Sequence, residues 1–172
     1  MTRRFDRVEG RRIHVQSYCA LVHRSYNEAG VHRYEDLFQT ALDLGLGDDT
    51  LAELFRRMAF NVAAANHDDH TKNFAFLLPE DGRWALSPAY DLTFAYAESS
   101  PWVNQHQLSA NGKFRDITTH DLLMVAERFS IPGRKSLLEA VNTAVGDWPR
   151  YAADAGVSVA TRQDIARLHA RL

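Results

Sequence analysis

The stretch that decides the reading is Asn66-His67-Asp68-Asp69-His70-Thr71-Lys72-Asn73, eight polar residues between two apolar segments. Upstream, Leu51, Leu54, Phe55, Met58, Ala59, Val62 and Ala63 recur at helical spacing, the stripe of a long buried helix. Asp48 or Asp49 is its expected N-cap, and its expected end is near Asn66. Downstream, Phe74 to Leu78 and Trp84 to Ser87 are short apolar runs. Between them Pro79-Glu80-Asp81-Gly82-Arg83 carries the proline and Asp-Gly pair of a hairpin turn. The polar stretch is therefore a loop that joins a helix to a small antiparallel ribbon.

Working outward, Tyr34, Leu37, Phe38, Ala41 and Leu42 predict a helix from Arg33 to Leu44, ended by Gly45 and Gly47. Beyond the ribbon, Leu122, Leu123, Val125, Ala126 and Phe129 form another helical face, with Thr118 or Thr119 as its cap and Pro132-Gly133 as its break. Leu137, Leu138, Val141, Ala144, Val145 and Trp148 predict a further helix stopped by Pro149, and Asp164 to Leu172 a last short one. The expected class is mainly α with one ribbon. No repeat, low-complexity tract or Gly/Ser linker divides the chain, so residues 1–172 read as one domain.

Composition narrows the function classes. A hydrophobic share of 45% with 24% charged residues is that of an ordinary soluble globular protein. The net charge of −2 gives no general attraction to nucleic acid or to an anionic membrane. Arg3, Arg4, Arg7, Arg11 and Arg12 cluster near the start and read as a solvated terminus. A single cysteine, Cys19, excludes an internal disulfide and is expected in the core of a protein from a reducing compartment. With no signal pattern and no run of apolar residues long enough to span a membrane, the expected location is cytoplasmic. Trp84, Trp102 and Trp148 read as packing residues.

The loop holds carboxylates at Asp68 and Asp69, an amide oxygen at Asn73 and a cation at Lys72. A further carboxylate, Asp91, follows the far strand in Leu86-Ser87-Pro88-Ala89-Tyr90-Asp91. A hairpin can bring its ends together, which would set Asn73 beside Asp91 as two oxygen ligands for a hard cation such as Mg2+. Asp68 would then be free to accept the proton of an attacking hydroxyl, with Lys72 near phosphates, the pattern of a protein-kinase catalytic loop. A plainer alternative is that the acidic residues only cap and turn the backbone. His67 with Asp68 also suggests the His-Asp pair of a metal-dependent phosphohydrolase, although the other histidines show no ligand spacing.

The string from Asp68 to Phe74, followed by Leu86 to Asp91, resembles the signature of HipA-like kinases, the toxin members of bacterial toxin–antitoxin pairs. Arg4-Phe5-Asp6-Arg7 resembles the family's hinge, and Gln105 to Ser109 with Asn111-Gly112-Lys113 its post-catalytic segment. The resemblance implies a kinase-like C-lobe bundle whose ribbon carries the catalytic and metal-binding segments, and transfer of a phosphoryl group from ATP to a protein serine or threonine. It implies Asp68 as catalytic base and Asn73 and Asp91 as Mg2+ ligands. Nucleotide contacts would come from His70, Thr71, Lys72, Asn73, Tyr90 and Asp91, with Arg3, Arg4 and Phe5 on the adenine side. His106 and Lys113 could touch substrate or phosphate. Asp69 stands where many members have glycine, which would set an extra carboxylate against the phosphates. The nucleotide-covering loop and strand lysine lie before the hinge in this family, so activity is expected only with an N-terminal half. A HipB-like antitoxin is a further expected partner. The alternative is a catalytically inactive binding module for either of these.

Overall fold

In the computed structural model, which describes residues 4–28 and 30–172, the chain opens with β1 (Arg7–Val8), β2 (Arg11–Arg12), β3 (His14–Ser17) and α1 (Tyr18–Leu21). Then come β4 (His32–Arg33), α2 (Tyr34–Asp43), α3 (Asp48–Ala63), a 3-10 turn at Thr71–Asn73, β5 (Ala75–Leu78), β6 (Ala85–Leu86) and β7 (Leu108–Ser109). The chain closes with α4 (Thr119–Arg128), α5 (Arg134–Gly146), α6 (Trp148–Asp154) and α7 (Val159–Ala166). The class is mainly helical, as the spacing predicts.

The core forms where the apolar stripes meet. Leu37, Phe38 and Ala41 of α2 bury against Leu54, Phe55, Met58 and Ala59 of α3, and α3 packs in turn on Leu138 and Val141 of α5. Phe74, Phe76, Leu122, Val125 and Ala126 complete the same cluster. Each fully buried large side chain stabilises the fold by about 1.5–3 kcal/mol. Cys19 is buried, as expected.

Helix ends explain how the loop begins. The N-cap of α3 is Gly47, with Asp48 and Asp49 inside the first turn, where they favour the positive end of the helix dipole rather than cap it. The helix stops at Ala63, short of Asn66, because Ala65 turns left-handed at φ 52° and the Asn66 amide closes back on the Asn61 carbonyl at 2.9 Å. Thr118 caps α4 in a reciprocal box with Asp121.

Several expectations need correction. The ribbon of β5 and β6 gains a third strand, since β3 pairs antiparallel with β5, placing His14 opposite Leu78 and Ser17 opposite Ala75. Two further pairs exist, antiparallel β1-β2 and parallel β4-β7. Pro149 starts α6 rather than ending α5, the position where its missing N–H is harmless. The last helix is α7, set by the Ser158 side chain accepting from the Thr161 amide, and not Asp164 to Leu172. Arg7, Arg11 and Arg12 lie in a hairpin instead of a fraying end, and Trp102 is 57% exposed rather than packed. Among the described residues no helix is long and apolar enough to cross a membrane.

Candidate functional site

The loop that leaves α3 is stitched to the segment after Asp91. The His67 amide donates to the Ala95 carbonyl at 3.0 Å and the Ala95 amide to the Ala65 carbonyl at 3.1 Å. On the other side, β5 and β6 bring their outer ends together, where the Tyr90 hydroxyl donates to the Lys72 carbonyl at 2.7 Å. Asn73, Tyr90 and Asp91 therefore line one small cavity. Arg57 of α3 braces this segment from below: its buried guanidinium donates to Glu53 at 2.9 Å and to the Ser87 carbonyl at 2.8 Å.

Asp68 lies in the same loop with its side chain 44% exposed. Its carboxyl is raised above the ordinary value by burial; His70, 3.8 Å away, opposes the shift, and the charges of Asp91 and Asp69 add to it. Asn73 donates its amide to the Asp68 carbonyl at 2.8 Å, which leaves its Oδ1 free. Asp91 is exposed and holds φ at 56°, an uncommon conformation for an aspartate that aims the residue away from the strand direction.

Beside Asp91 lies a cleft of about 950 Å3 lined by Arg4, Phe5, Val15, Pro88, Tyr90 and Asp91 among others; neither Asp68 nor Asn73 lines it. Phe5 and Tyr90 rings sit 5.9 Å apart. Burial, with the charges of Cys19 and Asp91, pushes the Tyr90 phenol up to about 12 against the pull of Arg57, so it stays a neutral donor. Arg4 is held in a two-pronged pair with Asp6, at 2.8 and 2.7 Å. Lys72 rests its ammonium 4.8 Å from the Tyr26 ring centre, and Tyr26 also faces the His70 ring at 5.7 Å. A cavity of about 470 Å3 between α5, α6 and the C-terminal tail is lined by Asn142, Trp148, His169 and Arg171 among others, with no carboxylate in its lining.

Of the residues singled out from the sequence, the structure brings Arg4, Phe5, Tyr90 and Asp91 to one cleft, and Asn73, Tyr90 and Asp91 to the small cavity beside it. Thr71 is fully buried and does not reach the cleft. Arg3 lies outside the described residues. Asp69 is 1% exposed and accepts from Tyr34, His106 and the Gln107 amide, while it also lines the small cavity shared by Asn73 and Asp91. His106 is buried against Asp69, while Lys113, half exposed, pairs with Asp121 at 2.8 Å. The His67 ring centre lies 4.2 Å from that of His106 at a 40° tilt, and among the described residues no three His, Cys, Asp or Glu side chains converge as a metal site. Sequence reasoning missed Tyr26, Tyr34 and Arg57, whose partners lie far along the chain.

The oxygen set fits a hard cation. Asn73 Oδ1 and the Asp91 carboxylate, which line one cavity, could supply two ligands, and Mg2+ needs few protein ligands because it keeps waters and shares substrate phosphates.

Comparison with known proteins follows the same line. A family model described as the HipA-like C-terminal domain matches residues 1–163. A relative from Sinorhizobium fredii (strain NBRC 101917 / NGR234), named "Putative kinase Y4dM", is 31% identical over 102 residues, covering 56% of this chain and 24% of that protein. A solved chain from the Shewanella oneidensis MR-1 toxin–antitoxin complex of HipA, HipB and operator DNA matches 96% of this chain with a TM-score of 0.71. At 18% identity that likeness speaks to the fold alone, and this chain spans 45% of the solved one. It spans 24% of the curated relative's length.

Proposed function

The chain belongs to the family of HipA-like C-terminal domains, and from that premise we propose that it is the metal-binding, catalytic portion of a toxin-type protein serine/threonine kinase. The observation that carries the reading is the meeting of Asn73 and Asp91 at one cavity, with Asp68 beside them on a loop of kinase spacing. Asn73 Oδ1 and Asp91 would hold Mg2+, which when bound with ATP neutralises charge on the transferred phosphoryl group. Asp68, its carboxyl raised by burial yet part exposed, orients the substrate hydroxyl and takes its proton. Phe5 and Tyr90 form the apolar wall against which an adenine stacks and Arg4 borders the same cleft, while Lys72 and His70, which pack on Tyr26, would have to reach the nucleotide from the loop. The covering loop and phosphate lysine of a kinase come, in this proposal, from an N-terminal half, and a HipB-like antitoxin is the regulatory partner.

Reconstitution with such a half tests the reading. Phosphate transfer to protein should appear and be lost in Asp68→Ala and in Asp91→Ala; undiminished transfer in either variant would refute it. One observation favours a second reading, a docking module without activity: Arg4 and Lys72 are already engaged, by Asp6 and by Tyr26. That reading predicts a stable complex with the N-terminal half and no transfer from any variant.

A further inference from the structure

Asp69 takes no part in the chemistry just described, yet it is the most enclosed carboxylate of the loop. Its Oδ2 accepts from the Tyr34 hydroxyl at 2.6 Å and lies 2.9 Å from His106 Nδ1, which carries its proton toward the carboxylate. Its Oδ1 accepts from the Gln107 amide at 2.7 Å. These donors come from α2 and from the segment that leads into β7, both remote in sequence. Tyr34 in turn accepts from Asn61 at 3.0 Å, and Asn61 accepts from Asn66 at 2.8 Å, so the start of the loop hangs from the same network.

The consequence passes to the neighbours through one peptide group. The Asp68 carbonyl, bonded directly to the Asp69 nitrogen, is the acceptor that orients the Asn73 amide at 2.8 Å. Because Asn73 spends its NH2 there, its Oδ1 is the atom left to face a hard cation. Whatever fixes Asp69 fixes that peptide, and with it both the Asp68 side chain and the Asn73 oxygen. We propose that Asp69, clamped by Tyr34, His106 and Gln107, is the positioning residue that presents Asp68 and Asn73 to the site. Its bearing on metal rests on the reading of Asn73 and Asp91 as cation ligands; its bearing on Asn73 does not.

Two measurements on the full chain separate these. Mn2+ binding followed by electron paramagnetic resonance reports the cation site, and NMR hydrogen exchange of the Asn73 side-chain amide reports its bond to Asp68. Asp69→Ala should weaken Mn2+ binding about 10-fold or more, as loss of outer-shell partners does, and speed Asn73 exchange while α3 backbone amides keep their protection. Asp69→Asn keeps the acceptor for Gln107 but sets an NH2 group against the Tyr34 and His106 donors, so it should recover only part of both. If Asp69→Ala does not fold, Tyr34→Phe removes one donor and should shift both quantities about fivefold, the equivalent of one hydrogen bond. Unchanged exchange and Mn2+ binding in folded Asp69→Ala or in Tyr34→Phe would overturn the clamp. Mn2+ binding that ignores Asp91→Ala would overturn the cation reading instead, with the clamp still judged by Asn73 exchange.

Discussion

Asp121→Ala is the substitution whose effect the structure defines best. The buried carboxylate accepts from Lys113 Nζ at 2.8 Å, the Thr118 amide at 2.9 Å, the Thr118 hydroxyl at 2.6 Å and the Asn111 amide at 3.0 Å. It thus closes the capping box of α4 and anchors the Asn111-Gly112-Lys113 turn. The Thr118 side chain still caps the helix in the variant, but the Thr118 amide, the Thr118 hydroxyl and the Asn111 amide, left without their acceptor, cost about 1 kcal/mol each. Lys113 is half exposed and returns to water, adding little. The sum is about 3 kcal/mol, or about 6–12 °C in Tm for a chain of this size. Burial opposes the charge of Asp121, but the bonds from Lys113, Thr118 and Asn111 outweigh it and hold the carboxyl well below its ordinary 3.8. A carboxyl depressed by folding contributes fully above its unfolded value and loses that contribution as pH falls toward its folded one. Urea unfolding of wild type and variant should therefore show a gap of about 3 kcal/mol at pH 7 that narrows at pH 3. A gap below about 1 kcal/mol, or one that does not change with pH, would refute the reasoning.

Burial, reinforced by the charge of His106 and opposed by Asp69, lowers His67 from 6.5 to about 4. The unfolded chain then binds the extra proton between those values, so this histidine's contribution to stability falls as pH drops from about 6.5 to about 4; an NMR titration should find its ring neutral at pH 5.5, and titration near 6.5 would contradict the burial argument. At Asp91 the positive φ predicts that Asp91→Gly is about 1 kcal/mol more stable than Asp91→Ala, with both losing cation binding; equal stability in thermal unfolding would remove the case for strain. Arg57→Ala strips the Ser87 carbonyl and Glu53 of a buried donor and should cost about 2–3 kcal/mol, while Arg57→Met, which refills the space, should cost visibly less in the same urea assay.

What the sequence made legible was local. The stripes of α2 and α3, the Thr118 cap and the Pro79-to-Gly82 turn each act over a few residues, and the spacing from Asp68 to Asn73 sits within one loop. What escaped were pairings across the chain. His14 to Ser17 has no apolar alternation, and becomes a strand only because β5 offers it an edge from a distant part of the chain. The partnership of Asp69 with Tyr34 and His106 is equally remote, and nothing in the loop itself marked Asp69 as a buried anchor. α7 buries none of its side chains, so no stripe marked it, and only the Ser158 cap fixes its start. Pro149 was legible as a breaker but ambiguous in direction, since proline ends one helix and begins the next with equal ease.

The central claim, a nucleotide site built on Asn73 and Asp91, is tested most directly by calorimetry. The chain is titrated with a non-hydrolysable ATP analogue, with and without Mg2+, and the titration is repeated with Asp91→Ala. The account predicts binding that requires both Mg2+ and Asp91. Binding indifferent to either, or no binding under any condition, would contradict it.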